Sequence, residues 1–102
     1  MNAEQEHEMA LILDEVRNER YLQDEEWGQS IDDQHTEWEW IALLTRHNGL
    51  AVNDGLEKNV GRFRKQMIRV AALSIAAVES FDRKHSKPVE KKAGEFLAGS
   101  GF

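Results

Sequence analysis

The segment from Phe63 to Arg83, FRKQMIRVAALSIAAVESFDR, runs without a proline or glycine and is far longer than an ordinary strand. With Val60 ahead of it, the apolar positions Val60, Phe63, Met67, Val70, Ala77 and Phe81 recur at helical steps. Ile68, Ala71, Ile75 and Val78 form a second stripe beside the first. A helix apolar on two faces needs a neighbour on each, so the spacing predicts a long central helix from Leu56 to Lys84. Between Ala71 and Val78 only Ser74 is polar, and the alanines at 71, 72, 76 and 77 let a second helix approach closely. The stripe Ile68, Ala71, Ile75, Val78 exceeds what one helix pair in a small chain covers, and it is the expected interface of a homo-oligomer.

Working outward, Met9, Ile12, Leu13 and Val16 recur at i, i+3, i+4, i+7, which predicts an amphipathic helix from Ala3 to Trp27, ended by Gly28. Asp32 and Asp33 offer caps for a second helix carrying Trp40, Ile41 and Leu44, ended by Asn48-Gly49. GLAVNDG, residues 49–55, then reads as a polar connection. The expected fold class is all-α: one domain over residues 1–102, its bundle core at about 3–84. The tail, 85–102, contains Pro88 and a short helix expected over Val89 to Leu97.

Thirteen Lys and Arg against nineteen Asp and Glu leave a net charge of −6, which opposes nucleic acid as the main partner. Without cysteine there is no disulfide framework and no thiolate metal site or nucleophile. Met1 to Glu8 is acidic and does not read as a secretory signal, and the apolar run Val70 to Val78 is too short for a bilayer. No membrane partner and a cytoplasmic address are therefore expected. Neither a phosphate-binding glycine loop nor a serine nucleophile motif is present, and no H-x-x-x-H pair supports zinc chemistry.

Oxygen ligands remain, and they point to Mg²⁺, which takes carboxylates together with waters and substrate phosphates. Glu37 shares the stripe of Trp40, Ile41 and Leu44, one turn ahead of them, and is expected to lean inward as a ligand or as the partner of an arginine such as Arg69. Asp33 is a second candidate. Glu79 and Asp82, at i, i+3, can hold one cation together or stand as surface acids. Arg62, Lys65 and Arg69 share one side of the long helix, suited to gripping substrate phosphates or to neutralising Glu15, Glu19 and Glu37.

The string NERYLQDEEWGQSIDDQHTEWEW, residues 18–40, resembles the N-terminal pattern of the MazG-like all-α nucleotide pyrophosphohydrolase superfamily, in particular its small phage- and mobile-element-type members. The matching features are Glu19-Arg20, Gln23, Trp27-Gly28, Asp32-Asp33, His35-Thr36 and Glu37-Trp38, with the Val70–Ala72 step and the Glu79, Asp82-Arg83 ending of the long helix. The resemblance covers residues 16–83. It implies a helical dimer or tetramer, Mg²⁺ held by E-x-x-E and E-x-x-D motifs on successive helices, and hydrolysis of a nucleoside triphosphate to monophosphate and pyrophosphate. Here the first motif keeps Glu37 but has Trp40 in the second position.

A hairpin centred near Val52 would put Glu37 level with Gln66. Glu79 and Asp82 would then lie about 13 residues away, ~20 Å along the helix, too far to share a cation with Glu37. Two functions follow. One is a Mg²⁺-dependent pyrophosphohydrolase with Glu37 as ligand and Asp33, Glu19 or Gln23 completing the shell. The other is a non-catalytic binding or assembly module, for a nucleotide or a protein, that has lost the metal site.

Overall fold

Asn2 and Thr36 start the first two helices in the same way. The side chain of each accepts from the backbone N–H three residues on, at Gln5 and Glu39, whose side chains accept in return from the cap N–H. The structure, a computed structural model, describes residues 1–85, in which α1 spans Ala3–Asp32, α2 Glu37–Leu56 and α3 Val60–His85. The described chain is all-helical, and no helix in it is long and apolar enough to cross a membrane. The helix expected over Val89–Leu97 lies outside the described residues.

Three boundaries differ from the sequence expectation, each for a physical reason. Gly28 does not end α1: it takes φ 80°, ψ 158°, a conformation open to glycine, and the helix resumes beyond this kink to Asp32. Thr36, not Asp32 or Asp33, caps α2, because the Asp32 carboxylate is held by Arg20 of α1 and the Asp33 carboxylate by Arg83 of α3. Gly49 and Gly55 lie inside α2, which runs on to Leu56; a glycine weakens a helix by only about 1 kcal/mol, less than packing along α3 can supply. The reversal falls instead at Glu57–Asn59, where Lys58 takes φ 60° and the Asn59 side chain accepts from the Arg62 N–H to open α3.

Helix α3 is central, as its two apolar faces require. Both α1 and α2 pack along it, and among the described residues they do not pack on each other. Trp40, Leu73 and Ala76 form the buried core, with Leu43, Leu44 and Ala77 packed around it, and the small side chains of Ala72 and Ala76 bring the helices close. Every residue from Met1 to Glu15 is exposed, and Val16 is the first buried residue of α1.

Polar ties fasten the α1–α2 turn to the end of α3. Ser80 Oγ donates to the Asp32 carbonyl at 3.1 Å, Arg83 pairs with Asp33 at 2.7 Å, and Lys84 donates to the His35 carbonyl. The Arg83 hydrogen bond holds the Asp33 carboxyl below its ordinary value of 3.8. A lowered folded-state pKa means that Asp33 contributes stability above the unfolded value and loses it as pH falls through the folded one. Wild-type melting temperature should therefore drop between about pH 5 and pH 2, and Asp33→Asn should shallow that drop while lowering stability at neutral pH. Parallel melting curves for the two proteins check this.

Candidate functional site

Since α1 and α2 touch only α3, a cleft of about 440 Å³ opens between them with α3 as its floor. Polar side-chain contacts fix the directions of its walls. Glu15–Arg64 and Asp33–Arg83 show that α1 runs parallel to α3, whereas His47–Gln66 and Glu37–His85 show that α2 runs antiparallel. The cleft thus has two ends. Glu19 of α1, His47 of α2 and Arg69 of α3 stand at the first; Asp32, His35 and Trp40 stand at the second, where the turn closes it.

Along the α1 wall lie Arg20, Gln23 and Trp27, continuing at helical spacing the stripe that begins with the buried Val16. Arg20 is held by Glu79 at 2.7 Å and Asp32 at 3.3 Å, leaving its Nη1 buried without a partner. Gln23 is buried and its Oε1 has no partner; Trp40 is buried and its Nε1 has none. Burial raises the Asp32 carboxyl above its usual range, against the opposing pull of Arg20, His35 and Arg83. His35 packs on Trp40 with ring centroids 4.8 Å apart. Such a cleft suits a small molecule with a flat ring and polar edges.

The candidate residues from the sequence separate into different places. Asp33 is engaged by Arg83 and Glu79 by Arg20. Glu37 does not lean inward beside Arg69: its side chain is 68% exposed, with His85 Nε2 at 3.9 Å. It does, however, line a second groove, between α2 and α3, together with Asp82. The hairpin register explains this. Extending α2 to Leu56 moves the reversal beyond Val52, so that His47, not Glu37, meets Gln66, and Glu37 sits level with the end of α3. Glu37 and Asp82 therefore line one groove, contrary to the ~20 Å separation that a hairpin centred near Val52 requires.

Among the described residues no group of three or more His, Asp or Glu side chains could hold a metal ion, and two of the four expected acids are neutralised by arginines. The expected phosphate grip is likewise divided. Arg69 lines the cleft, Arg62 pairs with Asp54 at 3.6 Å beside the α2–α3 reversal, and Lys65 is exposed. Of the expected interface stripe, Ile68 and Ala71 are half-buried, and Ile75 and Val78 are exposed at 42% and 59%. Arg20, Trp27, His35 and His47 were not singled out as cleft residues by the sequence reading. One signal pointed to the α1 wall: an apolar stripe that turns polar at Arg20 and Gln23 while keeping its helical spacing.

No protein-family model, no curated protein and no solved structure matches the chain.

With no three-acid set to complete, Mg²⁺ alone should leave the melting temperature where NaCl of matched ionic strength leaves it. Glu37→Gln, a change at an exposed side chain, should alter stability by less than about 0.5 kcal/mol in either salt. Thermal melts of both proteins check this, and a wild-type rise specific to Mg²⁺ would restore Glu37 as a metal ligand.

Proposed function

We propose that this chain is a MazG-like helical domain that binds a nucleotide in the cleft between α1 and α2. The observation that carries the reading is the set of buried, unpartnered polar atoms on the cleft-lining residues Arg20, Gln23 and Trp40, since buried polar groups in native proteins are almost always paired, by protein, water or a bound ligand. Trp27 and Trp40 offer flat surfaces for a base. Arg69 and His47, at the opposite end, suit the anionic tail. Of the two functions left open by the sequence, the binding module is the better supported, because Asp33 and Glu79 already neutralise arginines.

One observation favours the Mg²⁺-dependent pyrophosphohydrolase as a second reading. Glu37 and Asp82 share a groove whose wall at His35 and Trp40 is also that of the cleft, and Mg²⁺ arriving on nucleotide phosphates needs only one or two carboxylates. Calorimetric titration with nucleoside triphosphates, followed by a pyrophosphate-release assay with and without Mg²⁺, separates the two. Binding without turnover supports the module, Mg²⁺-dependent release selects the hydrolase, and no binding defeats both. Arg69→Ala should weaken triphosphate binding about tenfold, the loss of one charge-assisted contact.

The chain is also proposed to act as a homo-oligomer, a dimer or tetramer. Among the described residues only six apolar side chains are buried, while Ile41, Val78 and Phe81 stay exposed along the α2–α3 groove and Ile75 stays exposed on α3. Light scattering at tens of micromolar should give a multiple of the chain mass. Ile75→Asp should shift it toward monomer or aggregate, and a monodisperse wild-type monomer would refute the assembly.

A further inference from the structure

Gln23 is the cleft residue that the fold explains least. It is 9% exposed, it sits between Arg20 and Trp27 on the α1 wall, and its Oε1 accepts from nothing. An unpaired buried carbonyl costs free energy, and an apolar side chain of the same shape would avoid that cost. Trp40, across the cleft on α2, presents the opposite deficit: a buried indole N–H with no acceptor. Phosphate oxygens can satisfy Trp40 but not Gln23 Oε1, because they carry no donor. A nucleobase edge presents N–H donors beside carbonyl or ring-nitrogen acceptors, and it lies in the plane of a ring that Trp27 and the His35–Trp40 pair can flank.

Resting on the nucleotide reading above, we propose that Gln23 is the specificity-determining residue of the cleft. Its side-chain amide pairs with the hydrogen-bonding edge of the base and so sets which base is preferred. A site that hydrogen-bonds a ligand group rejects analogues lacking it, because a mismatched base leaves the buried amide unpaired.

Calorimetry on the full chain tests this with the four ribonucleoside triphosphates, their deoxy counterparts and inorganic tripolyphosphate, on wild type, Gln23→Leu and Gln23→Glu. Wild-type affinities should spread at least ~10-fold across the bases, and Gln23→Leu should compress the spread to within ~3-fold. Gln23→Glu keeps the shape but only accepts, so it should move the preference toward guanine, whose N1–H and exocyclic amino group present two adjacent donors to a carboxylate; it also covers the case in which leucine disturbs folding. Several results would overturn the proposal while leaving nucleotide binding intact: a wild type indifferent to the base, an unchanged spread in the variants, a changed ribose-to-deoxyribose ratio in place of the base ratio, or an equal loss for tripolyphosphate. A wild type that binds no nucleotide overturns the nucleotide reading, and this proposal with it.

Discussion

The fastening of the α1–α2 turn to the last two turns of α3 is the constraint on which the rest of the molecule depends. Helices α1 and α2 do not pack on each other, so their separation is set only by how each lies on α3. At the closed end that geometry is pinned by Ser80 to the Asp32 carbonyl, Arg83 to Asp33 and Lys84 to the His35 carbonyl. Arg20 reaches from the α1 wall to both Asp32 and Glu79, tying the same corner from the cleft side. The Asp32 carboxyl is buried, and its raised pKa records the desolvation cost of placing it there. A hydrophobic contact would hold the corner with less expense, but it would not orient Arg20 across the cleft wall.

Stability and site therefore draw on the same residues in opposite directions. The apolar stripe of α1 gives way, at Arg20 and Gln23, to polar side chains that keep its helical spacing. Two apolar residues there would enlarge the apolar core, whose buried members among the described residues are Val16, Trp40, Ala51, Ala72, Leu73 and Ala76. Keeping the space open sacrifices that burial.

Much of the fold was legible in the sequence because its strongest signals are local and periodic. The two stripes of α3 marked a helix with a neighbour on each side, and the Met9–Val16 spacing marked α1. Boundaries were not legible where tertiary packing outweighed a local preference. Gly49 has open space around it and nothing local to keep it helical, yet it continues α2; Gly28 bends α1 without stopping it. Asp32 and Asp33 read as caps because capping is what aspartates ahead of a helix do locally, and no local rule reveals that Arg20, Ser80 and Arg83 compete for them from 12 to 50 residues away. The cleft was legible only in part: Gln23 stood out by the motif it resembles, whereas the deficits at Arg20 and Trp40 exist only once three helices meet.

The α2–α3 register shows how a small boundary error changes a chemical conclusion. Ending α2 at Gly49 puts Glu37 opposite Gln66 and removes Asp82 from its reach. Continuing the helix through Leu56 moves the reversal on and shifts the register opposite Gln66 by ten residues, from Glu37 to His47, or ~15 Å of helix, and brings Glu37 to the groove of Asp82. The acids nearest to an E-x-x-D arrangement are then split not by distance along a hairpin but by allegiance. Glu79 turns toward Arg20 and the cleft, and Asp82 turns toward the groove of Glu37. Arg20 holds Glu79 on the side of α1 while Asp82 lines the groove of Glu37, so these carboxylates stay divided between two concavities.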